Sequence, residues 1–266
     1  MIIKKILFLL ICIFSLSNIF SINAFAGSSC EEKKPNPAVL AAAGNRAILL
    51  KNTLDNLNPQ VALIARVGSN MEKYNMHFTH AAFVVRDYPG YKGKWTVVHL
   101  LNQCGTGNSS IYAQGLLNFF ADDLYSMDFK IIVPDKKLQT NLAAVLKSPL
   151  KLSLHNNHYS MLAYPFATRY QNSNQWILEV LVSANEGVRS REAIQQTLRE
   201  SGFEPATIKV DGLTAIGAKM FKANVQFDDH PQTERNSGSY SVVSVKSLVS
   251  YLQQLGKIAT VKDYLQ

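Results

Sequence analysis

No heptad, no fixed-length repeat and no low-complexity tract runs through the 266 residues, and the nine prolines and fourteen glycines fall without period. Those absences exclude collagen-like, solenoid and coiled-coil architectures. Basic runs are equally scarce. Beyond the first few residues none exceeds the pairs Lys33-Lys34 and Lys136-Lys137, so a nucleic-acid footprint is not supported. No phosphate loop, dinucleotide fingerprint or HExxH motif is present, and no cofactor is called for. What the chain does have is apolar material: 47% hydrophobic against 17% charged residues. That balance excludes global disorder and lets about 240 residues bury one core.

The first segment is distinct from the rest. Lys4 and Lys5 precede an apolar run from Ile6 to Phe14, and the stretch ends Ala24-Phe25-Ala26. This is the pattern of a secretory signal peptide, residues 1–26, with cleavage expected after Ala26 and a periplasmic or secreted destination. An uncleaved anchor is the rival reading, because the apolar stretch approaches spanning length, but Ser15, Ser17, Asn18, Ser21 and Asn23 weaken it. Gly27 to Cys30 makes a poor lipoprotein box, lacking an aliphatic residue three places before the cysteine. After cleavage no stable membrane span is expected. The remaining chain, 27–266, reads as a single domain with 25 basic and 19 acidic residues, a net charge of +6, enough for attraction to a negatively charged envelope surface.

Cleavage also removes Cys12 and leaves Cys30 and Cys104, an even count in an oxidising compartment. A disulfide is the default expectation, worth about 2–5 kcal/mol. The competing reading makes Cys104 a free reactive thiol.

Pro37 to Asn56 is rich in Ala and Leu and predicts a helix. Gln60–Val67, Phe78–Val85, Trp95–Leu101 and Phe129–Val133 are short apolar runs bounded by turn formers and predict strands. Pro89, Gly90 and Gly93 suit a hairpin between the second and third. Further helices are predicted from an Asp135 cap to Lys147, over Asn174–Val182 behind a Ser173 cap, over Arg191–Glu200 behind a Ser190 cap, and over Leu213–Lys222 and Val245–Leu255. Asn224–Phe227 and Tyr240–Val243 predict two more strands. Strands and helices mix without strict alternation, which predicts an α+β fold around a central antiparallel sheet.

Three stretches put polar chemistry inside apolar elements. If the strands holding His80 and His99 pair, the two rings can share a face. Ser173 opens a helix, where unpaired amides and the positive dipole end favour developing negative charge. Ser173 as nucleophile, His80 as base and His99 as its orienting partner make a workable acyl-transfer set. Arg169, Tyr170, Asn172 and Asn174 stand around Ser173 as candidate substrate-binding residues. The blander account makes Ser173 a helix cap and the histidines hydrogen-bonded core residues. Cys104 paired with either histidine is a thiol-enzyme alternative. His155 with His158, and Asp228-Asp229-His230, are too few ligands to define a metal site, so none is assigned.

His80-Ala81-Ala82-Phe83-Val84, Val97-Val98-His99-Leu100 and Asn172-Ser173-Asn174-Gln175-Trp176 resemble, in this order, the circularly permuted NlpC-type papain-like superfamily with its lecithin:retinol acyltransferase-like members. The resemblance spans about a hundred residues, Thr79 to Leu181. It implies a permuted papain-like layout and an amide or ester hydrolase or acyltransferase acting on cell-envelope peptide, glycan or lipid. The superfamily nucleophile is usually a cysteine, and Ser173 departs from it. A hydroxyl must lose its proton during attack, whereas a thiol ionises near neutrality. A catalytically silent envelope protein that keeps the groove for binding is therefore the alternative. Over its whole mature length the chain also resembles an uncharacterised bacterial secreted family, a domain of unknown function (family 2145), through His99 to Thr106, Tyr170 to Trp176 and Phe227-Asp228-Asp229-His230-Pro231.

Overall fold

The computed structural model describes residues 36–91, 94–122, 124–210 and 223–266. The signal peptide, Cys30 of the expected disulfide and the predicted helix Leu213–Lys222 lie outside the described residues. In chain order the elements are α1 (Pro37–Leu57), β1 (Val61–Val67), a 3-10 turn (Glu72–Tyr74), β2 (His80–Arg86), β3 (Trp95–Asn102), β4 (Ser109–Gln114), α2 (Leu116–Phe120), β5 (Ser126–Pro134) and α3 (Lys136–Leu146). Then follow α4 (Leu150–Ser153), α5 (Ser173–Glu186), α6 (Arg191–Glu200), β6 (Ala206–Lys209), α7 (Gln232–Ser237), β7 (Ser239–Val242), α8 (Val245–Gln254) and β8 (Ile258–Tyr264).

The fold is α+β. Six strands form one antiparallel sheet in the order β4-β3-β2-β1-β5-β8, and β6 pairs with β7 in a separate ribbon. The central strands are mostly apolar runs, broken by Arg66, His80, Thr96 and His99, because both faces of the sheet are covered. On one face Leu63, Ala81, Phe83, Val98 and Leu100 pack against α3, α5, α6 and α8. On the other, Ile64, Ala82, Val84 and Val97 meet α1 and the α2 phenylalanines Phe119 and Phe120. Side-chain alternation along each strand therefore decides which helix layer a residue faces.

Capping follows side-chain chemistry. Asn36, Asp135, Ser190 and Ser244 each accept a backbone N–H at a helix start. One expected cap is corrected: Asn172, not Ser173, caps α5, its Oδ1 accepting from the Gln175 amide at 2.8 Å. Asn224–Phe227 is also not a strand. It runs as irregular chain beside Ser160–Leu162, with the Met161 amide donating to the Asn224 carbonyl and the Gln226 amide to Ser160 Oγ.

Helix α5 is buried from Ser173 to Ala184, polar residues included. A charge at its centre must therefore be paired. Glu179, fully buried, accepts from Arg191 Nε at 2.8 Å, Arg191 Nη2 at 3.0 Å, and the amides of Gln171 and Gln195. Arg191 also donates to the carbonyls of Thr168 and Tyr170. One carboxylate thus ties α5, α6 and the segment that leads into Ser173. Removing it strands a buried guanidinium. Glu179→Ala is expected to cost about 3–5 kcal/mol, read from the urea unfolding midpoint; a loss under about 1 kcal/mol, the scale of an exposed pair, contradicts this account.

Candidate functional site

A cavity of about 580 Å³ opens at the ends of β1 and β2. One wall holds Arg66, His80 and Asp122; another holds Tyr159, Asn172, Ser173 and Asn174. Met71, Met76, Phe78, Met161, Leu162, Ile208 and Val242 supply the apolar remainder.

The histidines meet. Phe83 pairs with Val98 across β2 and β3, which sets His80 and His99 diagonally on one face, with Phe119 about 6 Å from both ring centres. His80 Nε2 lies 3.0 Å from His99 Nδ1, and His99 Nε2 lies 3.1 Å from Gln114 Oε1. This chain assigns the protons. The Gln114 carbonyl oxygen only accepts, so His99 carries its proton on Nε2 and accepts at Nδ1. His80 then donates from Nε2, and its Nδ1 keeps the lone pair of a base.

Both rings are held neutral. Burial drives the His80 pKa well below its ordinary value, assisted by the positive charge of Arg66 and by His99. Burial, then Arg66, lowers His99 to about 4, against smaller opposing effects of Gln114 and Asp122. Arg66 pairs with His80 in strand register, donates to the Phe119 carbonyl and to Asp122 Oδ2 at 2.6 Å, and packs 5.0 Å from the Phe119 ring centre.

Ser173 is the first residue of α5, freed from capping by Asn172. Among the described residues neither its backbone amide nor that of Asn174 donates a hydrogen bond, the ordinary condition of a first helical turn. Tyr159, buried, lines the same cavity. Asn174 is spent on position: its Oδ1 accepts from the Ala81 amide at 2.9 Å and its Nδ2 donates to the Thr79 carbonyl at 3.0 Å. One carboxamide thereby grips the peptide groups on both sides of His80.

No hydrogen bond joins Ser173 to either histidine among the described residues. His80 and His99 belong to the α2 face, whereas α5 covers the other. The two groups share the cavity because His80 is the first residue of its strand, where the cavity passes the sheet's end.

The other predicted residues stand elsewhere. Arg169 pairs with Asp228 at 2.9 Å and covers the Tyr170 ring; neither Arg169 nor Tyr170 lines this cavity. Cys104 occupies an exposed turn after β3, outside the lining. His155 contacts Ser109 Oγ at 3.0 Å, and His230 is held between Glu234 and the Leu162 carbonyl. Among the described residues no three His, Cys, Asp or Glu side chains group as metal ligands, and no helix is long and apolar enough to cross a membrane. Sequence reasoning missed Arg66, Gln114, Asp122 and Tyr159. An arginine inside the otherwise apolar run Val61–Val67 is the one signal that marks such a residue.

Residues 53–252 match a family described as an uncharacterized protein conserved in bacteria (DUF2145), and the chain belongs to that family. No curated protein and no solved structure matches it.

The depressed histidines carry a pH signature. Between the unfolded value of 6.5 and the folded value of about 4, His99 binds fewer protons in the folded state, so stability falls as pH drops through that window and levels off below it. A gap of this size corresponds to about 3 kcal/mol at most. His99→Gln is expected to flatten the wild-type stability curve between those pH values, measured by urea unfolding. Parallel curves for the two proteins contradict a neutral buried His99.

Proposed function

We propose that this protein is an exported, periplasmic or secreted hydrolase or acyltransferase of permuted papain-like layout, acting on an amide or ester of cell-envelope peptide, glycan or lipid. The observation that carries the reading is the start of α5. Ser173 is not needed as a cap, and it opens a helix whose first two amides find no acceptor among the described residues, in a cavity shared with His80. Ser173 Oγ attacks the acyl carbon as its proton passes to His80 Nδ1. The Ser173 and Asn174 amides receive the charge on the carbonyl oxygen. His99 and Gln114 hold the His80 ring in the tautomer this requires. The leaving group departs with the proton from His80, and water or another acceptor then takes the acyl group by the reverse steps. The scheme uses only side chains and amides of this chain.

A second reading is favoured by a specific observation. Among the described residues no hydrogen bond joins Ser173 to a histidine, and the histidine pair enters from the opposite face of the sheet. On that reading the cavity binds an envelope peptide, glycan or lipid without turning it over.

A fluorophosphonate probe separates the two. Wild type is expected to label covalently, Ser173→Ala to lose the label, and His80→Ala to label about 10²-fold more slowly. An unlabelled wild type supports the binding reading. Label that persists in Ser173→Ala removes Ser173 from the chemistry.

A further inference from the structure

The connection from β1 to β2 supplies Gly68, Ser69, Met71 and Met76 to the cavity lining, and its last residues lead into His80. It is folded on itself. Met71 and Met76 form a bridge around the 3-10 turn, the Tyr74 amide donates to the Met71 carbonyl at 2.9 Å, and Asn75 closes the turn at φ 57°. Two neutral hydrogen bonds tie this flap outward, from Tyr74 Oη to the Lys209 carbonyl at 2.8 Å and from Asn70 Nδ2 to Tyr125 Oη at 3.1 Å. The third tie is ionic. His77 Nδ1 lies 2.5 Å from Glu72 Oε1 within the flap, and its Nε2 lies 2.9 Å from Asp128 Oδ2 on β5. Asp128 is itself fixed, its Oδ1 accepting from the Gln266 amide at 2.7 Å and its own amide donating to Ser126 Oγ. Among the described residues no other ion pair joins the flap to the sheet.

We propose that His77 is a pH-operated latch on this cavity: its imidazolium bridges Glu72 and Asp128 to hold the flap against β5, and loss of its proton lets the rim at Met71 and Met76 open. The inference is independent of the chemistry assigned to Ser173. A carboxylate oxygen only accepts, so both ring nitrogens must donate, and only the imidazolium carries two N–H groups. Neutral His77 has one. It can serve one carboxylate and must turn a lone pair toward the other, so deprotonation breaks one of the two contacts whichever tautomer results. The surrounding charges favour the proton. Glu72, against partial burial, and then Asp128 raise the His77 pKa above 6.5. The Phe78 ring meets His77 edge-on at 4.8 Å; Lys130, 5.1 Å from the Phe78 ring centre, is paired with Asp263 of β8. Lys73, next to Glu72, lies over the Tyr74 ring. A histidine whose folded pKa is raised contributes fully below the unfolded value of 6.5 and loses that contribution as pH rises through the folded value. The latch is therefore shut in acid and released as pH climbs past the raised value. His77 is 38% exposed and meets solvent directly, whereas the buried His80 and His99 are neutral on both sides of the transition.

The test is hydrogen exchange of the mature chain, read by mass spectrometry from about pH 6 to about pH 8.5 with the intrinsic rate of each peptide divided out. Opening of the segment 69–77 is expected to rise with pH, by up to about tenfold per unit between the free and latched pKa values, while peptides of β3 stay flat. His77→Gln keeps one donor but cannot titrate. It is expected to exchange at the open level at every pH. Glu72→Gln, at a side chain 59% exposed, removes the larger cause of the raised pKa and is expected to move the transition to lower pH. The ring signals of His77, followed by proton NMR in wild type, are expected to share the midpoint of flap opening. A flap whose protection does not vary with pH overturns the proposal, and so does a pH dependence that survives in His77→Gln. Equal loosening of β3 also overturns it, since the effect is then global. Should His77→Gln fail to fold, a midpoint unmoved by Glu72→Gln counts against the latch.

Discussion

Burial of α5 on nearly every side is the constraint on which the rest of the molecule turns. A helix surrounded by protein must pair its buried charges and most of its polar groups, because an unmet buried donor costs about 1–3 kcal/mol. Glu179 is answered by one guanidinium and two carboxamides, and Asn172 closes the helix start. Asn174 reaches the backbone of β2 at two points. Among the described residues Gln175 Oε1 and Ser183 Oγ are left without a partner, and the amides of Ser173 and Asn174 donate to none. The two amides border a cavity, and a cavity that leaves donors unspent is one that can receive an acceptor atom.

The sheet divides the chemistry. One face carries the ring pair, with Gln114, Arg66 and Phe119 fixing its tautomer and its charge; the other carries the helix that begins with Ser173. Asn174 is the strut between them. Because it bonds to residues 79 and 81, any shift of α5 must drag the backbone of His80 along. The small ribbon β6–β7 and Met71, Met76 and Leu162 form a separate apolar cluster against the mouth of the cavity. Methionine adapts its shape readily, so that rim can repack without disturbing the strut.

Much of this was legible in the residues themselves. Central strands covered on both faces read as apolar runs, and Asp135, Ser190 and Gly256 mark helix limits that the backbone keeps. The edge strands β4 and β8 were not legible. Their residues alternate weakly and are mostly half-buried in β4 and mostly exposed in β8, and pairing along one side leaves little pattern in composition. Choosing between Asn172 and Ser173 as cap was equally out of reach, since both residue types cap well and only the helix register decides. His80 and His99 come together because their strands pair as the hairpin the turn residues suggest. Arg66, Gln114 and Tyr159 escaped because what joins them to the site is contact across distant segments. Conversely, Arg169 and Tyr170 lie close to Ser173 in sequence, but the chain between them turns toward Asp228.

On the proposed reading of Ser173 as nucleophile, the electrostatics bear on why a serine rather than a thiol would suit this position. A thiol is commonly activated by a neighbouring imidazolium, which stabilises the thiolate. Here burial and the Arg66 charge disfavour protonated rings at both positions, so an ion pair of that kind would be penalised by the same environment. A serine hydroxyl asks for something else: a neutral imidazole with an open lone pair, present throughout the neutral range. The tautomer set by Gln114 supplies that nitrogen at His80. The cost is basicity, since a proton accepted in the transition state meets the same burial and the same arginine. Asp122, bonded to Arg66 and acting on His99 in the opposite direction, recovers part of it. On that proposed reading, the remaining stabilisation must then fall on the oxyanion side, at the first amides of α5.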